Sequence, residues 1–215
     1  AGGSRIIWLA TGMLLVSACA VAAGLYYMRQ EALRTGERLN QSLAHVIEEQ
    51  TSRTLQTTDQ RLLLALSQLK TLRAARTLNE ASARELLRDQ IRDLPFVRAI
   101  WVLDAQGRIQ YDSDEGNIGL PLQDREYYQA YRNRPGLGLH VSAPVRSRTT
   151  GSWLTTASRP IRGADGALEG VIAAAVEAPY FEQLWRGIDL GAEGAVALFR
   201  RDGVLMMRSP HDEQS

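Results

Sequence analysis

The sequence predicts an α+β protein in which long helices come first and a single antiparallel sheet follows. Three observations carry this. Leucines and other apolar residues recur at helical spacing from Leu39 to Leu72, with no proline and only Gly36 between Gln30 and Arg76. From Val97 the apolar period shortens toward that of strands, and the runs are separated by glycine turns. Strand-like runs and helical runs do not alternate as βαβ units would require, so helices lie on the faces of an antiparallel sheet.

Ile6 to Met28 is 23 residues without a charge, between Arg5 and Arg29. At the helical rise it spans roughly 34 Å, enough for a bilayer core of about 30 Å. Trp8 near one end and Tyr26 and Tyr27 near the other lie at the depths amphipathic rings prefer. This predicts a transmembrane helix over 6–28, with 1–5 as a cytoplasmic stub. The alternative is cleavage or lipidation at Ala18-Cys19-Ala20, but the apolar run continues nine residues past Cys19. Arg29, Arg34 and Arg38 after the segment against Arg5 before it would by themselves place the following residues in the cytoplasm.

The leucine stripe predicts a stalk helix over 29–76. Such a stripe needs a partner, either the following domain or the same helix of a second subunit, so a homodimer through the stalk is expected. A second helix follows in "TLNEASARELLRDQIRDLP", with Thr77 and Glu80 at capping-box spacing and Pro95 as its stop. "VRAIWVLDAQGRIQYDS" predicts two strands around Asp104 to Gly107, and "WLTTASRPIRGADGALEGVIAAAVEA" two longer ones around Gly163 to Gly166. Between these pairs lie a short helix from Asp124 to about Arg132 and a strand near Leu139 to Ala143. A last helix is expected from Ala178 to about Gly187.

An internal repeat appears at an offset of 96: "IWVLDAQGRIQYDS" overlays "VALFRRDGVLMMRS", with Gly107 on Gly203 and Ser113 on Ser209. The expected organisation is one unit over 77–187 and a second, cut short, over 188–215.

Composition narrows the function. With 215 residues and 45% apolar content the chain can fill a core, and 25 basic against 24 acidic residues leave no global field for nucleic acid. A single cysteine excludes a disulfide framework or a cysteine-rich metal site within one chain. His45, His140 and His211 have no ligand spacing, no nucleophile elbow or P-loop occurs, and "GLGLH" is not a dinucleotide loop. No enzyme activity and no cofactor are expected. A membrane-anchored hydrolase is the weakest of the alternatives.

The stretch "DREYYQAYR", Asp124 to Arg132, is the candidate site. Between Leu120 and Asp165 seven arginines face three acids, a local excess of four positive charges. An arginine among tyrosines suits a small organic anion: the guanidinium is a planar fork for a carboxylate, and the rings supply flat apolar walls. The competing reading is that the tyrosines fill a core and the arginines form a solvated face.

"DREYYQAYR", "GLHVSAPVRSRTTGSWLTTASRPI", "DGALEGVIAAAVEAPYF" and "IDLGAEGAVALFRRDGVLMMRSP", in this order, resemble the double Cache family of extracytoplasmic, PAS-like sensor domains of bacterial receptors. The resemblance covers everything after the apolar helix. It implies a membrane-distal ligand-binding unit, a membrane-proximal unit and a cytoplasmic output such as a diguanylate cyclase, histidine kinase or chemoreceptor module, most like sensor diguanylate cyclases. It also implies that residues after 28 lie outside the bacterial inner membrane, against the charge count.

Some members grip amino acids through an R-x-W-Y motif, here Arg125-Glu126-Tyr127-Tyr128. Two positions depart from that pattern: the tyrosine expected after "AP" is Val145, and the aspartate expected after "EGV" is Ala175. The expected ligand is therefore a carboxylate or other small anion, held by Arg125, Tyr127, Tyr128, Ser142, Trp153, Thr155 and the space above Ala175. The remaining alternative is a ligand-free dimerisation module.

Overall fold

The computed structural model describes residues 3–185 and 194–209. It divides into two compact bodies, Ala1–Gln50 and Thr51–Ser215, with helix α1 (Gly3–Ala74) supplying the described residues of the first and the beginning of the second.

Among the described residues, α1 alone is long and apolar enough to cross a membrane, judged by length and composition; its apolar window reaches a mean hydropathy of 1.4 and none of it is buried. Trp8, Tyr26 and Tyr27 are exposed on it.

In the second body the end of α1 is a Schellman turn. Thr77 N–H donates to the Leu72 carbonyl (3.0 Å) and Arg76 N–H to Arg73 (3.1 Å), with Arg76 in the left-handed region at φ 58°. Helix α2 (Glu80–Ile91) then starts two residues later than the Thr77/Glu80 pairing predicts. Asn79 is the cap: its side chain accepts from Ser82 N–H (2.9 Å) and Ser82 Oγ accepts from Asn79 N–H (3.0 Å). Thr77 cannot serve because closing α1 already occupies its backbone.

The sheet follows in the expected order: β1 (Val97–Asp104), β2 (Ile109–Asp112), helix α3 (Glu126–Asn133), β3 (His140–Val141), β4 (Val145–Arg146), β5 (Trp153–Arg162) and β6 (Leu168–Glu177). All pairings are antiparallel, in the order β2-β1-β6-β5-β3, with β4 also on β5. Strand β4, two residues long, has no counterpart in the sequence reading. Helix α4 (Ala178–Trp185) follows; the last two positions expected of it, and residue 188, where the second unit is expected to begin, lie outside the described residues.

Alternation sorts the sheet into two faces. Ala99, Trp101, Leu103, Val171, Ala173 and Ala175 share one apolar cluster with Tyr127, Tyr128 and Tyr131 of α3. The other face carries Ile100, Val102, Ile172, Ala174 and Val176, all buried. Arg159, the strand partner of Ile172, forms a bidentate ion pair with Asp59 of α1, which puts the end of α1 on this second face. Gln90 of α2 donates to Gln68 of α1 (3.0 Å) and so ties the two covering helices together. The sheet is thus sandwiched, with α1 and α2 on one side and α3 with its loops on the other.

The repeat holds in three dimensions. Strands β7 (Val196–Phe199) and β8 (Leu205–Ser209) pair as Ala197↔Arg208, Leu198↔Met207 and Phe199↔Leu205, and each pair lies 96 residues after Trp101↔Asp112, Val102↔Tyr111 and Leu103↔Ile109. The bulge falls at the same place in both copies, and Gly107 and Gly203 both adopt positive φ, 75° and 87°. The two glycines differ in surroundings. A β-carbon on Gly107 would meet Gln123 Cα and Cβ at 2.7 Å, whereas one on Gly203 would meet nothing. Gly203→Ala is expected to cost about 1 kcal/mol of backbone strain, and Gly107→Ala about 2–4 kcal/mol because a main chain must also shift. Chemical denaturation of the two variants measures the difference.

Candidate functional site

Helix α3 begins at Glu126, with Arg125 in the extended N-cap position (φ −72°, ψ 142°) and no side-chain cap. Arg125 is left free to turn its guanidinium outward from the helix start. Its Nη2 donates to the main-chain carbonyl of Arg146 (3.0 Å), and the side chain is half-buried at the mouth of a cavity.

That cavity has about 440 Å³ between its atoms, part of it open to solvent. Trp101, Ile109, Leu120, Leu122, Tyr127, Val145 and Leu154 supply the apolar wall, and Arg98, Asp112, Arg125, Arg146, Arg148 and Thr156 the polar one. Tyr127 meets Trp101 edge-on, centroids 5.9 Å apart, and burial pushes its phenol well above the usual value. The phenol lies close to the indole, yet the buried Trp101 Nε1 has no hydrogen-bond partner.

Donors outnumber free acceptors on these walls. Asp112 is the one carboxylate; its two oxygens already accept from Asp114 N–H (2.9 Å) and Asn117 Nδ2 (3.0 Å), and burial raises its pKa above the ordinary carboxyl value. Arg98 is paired with Asp114 (2.7 Å) and Arg148 with Asp124 (2.6 Å). Among the described residues Arg125 and Arg146 are in no ion pair: each donates only to a carbonyl, Arg146 Nε to that of Gly151 (2.8 Å). A guanidinium offers five N–H groups, so both have donors to spare.

The seven residues singled out in the sequence separate here. Arg125 and Tyr127 line the cavity. Ala175 is fully buried on the same face as Trp101 and Tyr127, opposite Thr156, and brings no charge. Neither Ala175 nor the other four residues line the cavity. Tyr128 is buried and donates its hydroxyl to the Ala105 carbonyl (2.6 Å), fastening α3 to the β1–β2 turn. Ser142 Oγ accepts from Thr156 N–H (3.1 Å) and Thr156 Oγ1 (2.8 Å) and donates to the Ala143 carbonyl (2.9 Å), a latch between the β3–β4 segment and β5. Thr155 pairs with Val176 on the helix-covered face; the strand residue that reaches the cavity is its neighbour Thr156. A shift of one residue along a strand inverts the face, which is why Thr155 and Thr156 point to opposite sides of the sheet. Trp153 is 61% exposed at the start of β5 and is neither core nor cavity wall.

Trp101, Asp112, Arg146 and Thr156 are cavity residues that the sequence reading missed. For Trp101 a signal existed, since the alternation of "VRAIWVLD" puts it on one face with Ala99 and Leu103. Arg146 gave none, because only the β4–β5 pairing brings it across from Arg125.

Tyr131, the third ring of α3, sits deep in the body. Its hydroxyl lies against the carbonyls of Gly138 (3.0 Å) and Ser158, and burial pushes its pKa up to about 12. It anchors the helix and has no part in the cavity wall.

The sequence matches the family model dCache_1, described as a Cache domain, over residues 27–215. No curated protein matches it. Among solved structures, the extracellular domain of a candidate histidine kinase, rpHK1S-Z16, is similar at 29% identity with a TM-score of 0.68, over 79% of this chain and 68% of that one. The sensor domain of the V. cholerae histidine kinase DctB is similar at 18% identity and TM-score 0.55, over 79% of this chain and 65% of that one. The ligand-binding domain of the Pseudomonas aeruginosa PAO1 amino acid chemoreceptor PctC, in complex with GABA, is similar at 19% identity and TM-score 0.53, over 76% and 71%.

Proposed function

Because this chain belongs to the Cache family, whose domains are the extracellular sensors of membrane receptors, we propose that it senses a small organic anion, a carboxylate in the first instance, in the cavity between α3 and the sheet. The single observation that carries this reading is that Arg125 and Arg146 open onto that cavity with spare N–H donors and no ion pair, while the one carboxylate there is already engaged. A carboxylate accepted by the Arg125 fork gains a charge-assisted contact, and Tyr127 and Trp101 provide the apolar wall for its carbon skeleton.

PctC binds GABA, an amino acid, and so satisfies an ammonium group as well as a carboxylate. Here Ala175 offers the ammonium nothing, and Asp112 is occupied by its neighbours, which favours simple acids over zwitterions.

In the full receptor the apolar part of α1 anchors the chain in the inner membrane, with the sensor outside and the same helix pairing with that of a second copy. Ligand shifts the population between two closures of the sensor and thereby biases a cytoplasmic output. The similarity to histidine kinase sensors favours a kinase output, and a diguanylate cyclase or chemoreceptor module serves the same geometry.

Calorimetry on the full chain in nanodiscs tests the ligand class, with acetate and succinate as simple acids and GABA and leucine as zwitterions. The acids are expected to bind and the zwitterions to bind far more weakly; tight zwitterion binding with none for the acids overturns the anion reading.

A further inference from the structure

The β7–β8 hairpin repeats β1–β2 in register, bulge and turn, so a position where the copies differ is informative. In the first copy the turn is held by Asp104, whose Oδ1 accepts from the N–H groups of Gln106 and Arg108, both at 2.9 Å. The position 96 residues later is Arg200. The main-chain bonds of the turn persist there, Arg200 N–H to Val204 (2.8 Å) and Gly203 N–H to Arg200 (2.9 Å), and Asp202 takes over as the turn's acceptor. Arg200 is thereby released from the duty its counterpart performs.

Its guanidinium leaves the hairpin and reaches the first unit. Nη1 donates to Glu126 Oε1 (2.8 Å) and to the Val141 carbonyl (2.8 Å), contacts 74 and 59 residues away in sequence, while Nε and Nη2 are steadied by Asp202. Glu126 is the first residue of α3 and lies between Arg125 and Tyr127, the two cavity residues of that helix. Its other oxygen accepts from Ala143 N–H (2.8 Å), at the segment that enters β4 and Arg146. Burial alone would raise the Glu126 carboxyl, but the Ala143 N–H and Arg200 hold it below its ordinary value, so it is charged. His140 Nε2 stands 3.4 Å from Glu126 without hydrogen-bond geometry, which leaves Arg200 and Ala143 as the partners that orient the carboxylate.

We propose that Arg200 is a positioning residue for the anion cavity: through Glu126 it sets the first turn of α3 against the β3–β4 segment, and it couples cavity occupancy to the β7–β8 hairpin. Coupling between two sites is reciprocal, so whatever fixes Arg200 on Glu126 favours the liganded arrangement, and ligand in turn steadies the hairpin. The positioning half stands on the geometry alone. The coupling half rests on the anion reading above.

The test is amide hydrogen exchange and calorimetry on the full chain in nanodiscs, comparing wild type with Arg200→Gln and Arg200→Lys, with succinate as probe. Without probe, Arg200→Gln is expected to speed exchange at Ala143 and in the first turn of α3 by about tenfold or more, leaving the β1–β2 hairpin unchanged, and Arg200→Lys is expected to restore part of it. With succinate, wild type is expected to gain protection over 196–209, a gain lost in Arg200→Gln together with several-fold in affinity. A merely structural arginine would loosen the hairpin without touching Ala143 or α3. Unchanged exchange at Ala143 and α3 in Arg200→Gln overturns the positioning role, whether or not succinate binds. Succinate that binds both proteins equally, with equal protection of 196–209, overturns the coupling and leaves the anion reading intact. Failure of wild type to bind any of the acids, with exchange at Ala143 altered as expected, overturns the anion reading and the coupling that rests on it while the positioning role survives.

Discussion

Replacing Gly170 with alanine is expected to lower the stability of the sensor body by about 3 kcal/mol or more, the largest effect expected among the described glycines. Gly170 lies on β6 between Asp104 of β1 and Ile161 of β5, with both neighbouring strands paired to it. A β-carbon there would run into the main-chain carbonyl of Leu103, well inside van der Waals contact, with Ile161 Cδ1 at 3.5 Å beyond it. Backbone cannot step aside as a side-chain tip can, because Leu103 is fixed by pairing to Val171 and Ile109. For a body of this size each kcal/mol moves the melting temperature by about 2–4 °C, so a fall of about 6–12 °C is expected in thermal unfolding. Gly116→Ala provides the contrast: it has positive φ, 80°, but open space around it, and about 1 kcal/mol is expected. Equal melting temperatures for the two variants would show that the β1–β6 spacing relaxes at no cost.

Arg125→Ala is expected to weaken binding of simple organic acids by about 10–150-fold, the equivalent of about 1.5–3 kcal/mol for a charge-assisted contact made away from bulk water. Folding stability should fall by no more than about 1 kcal/mol, since the native state loses only the bond to the Arg146 carbonyl at the cavity mouth. Arg125→Lys should land between wild type and alanine: it keeps the charge and loses the two-pronged fit. Calorimetry reads the affinity and thermal unfolding the stability. Unaltered affinity in Arg125→Ala would place the anion elsewhere and remove the basis for the cavity as the sensory site.

The sequence reading and the structure agree where a pattern has a local cause. The apolar run, the leucine stripe, the two glycine-turned hairpins and the short tyrosine helix each follow from spacing a few residues long, and each forms as expected. Disagreements come where a competing local bond or a distant strand decides. Asn79 displaces Thr77 as the cap of α2 because the end of α1 already engages Thr77. Trp153 reads as core or pocket by residue type, yet it lies at the exposed start of β5. Thr155 and Thr156 are indistinguishable in composition, and only the Thr156↔Ala175 pairing shows which of them looks into the cavity.

By itself the sequence determined that an uncharged 23-residue helix precedes an α+β body, that tyrosines share a short helix directly after an arginine, and that a hairpin is repeated 96 residues on, because periodicity, turn chemistry and charge are properties of neighbouring residues. Only the tertiary structure decided which donors meet in one cavity, that Arg146 faces it along with Arg125, and that Arg200 reaches back to Glu126. Those contacts join segments 21 to 74 residues apart, and strand register and helix placement, set by the packing of the whole sheet, are what bring them within hydrogen-bond distance.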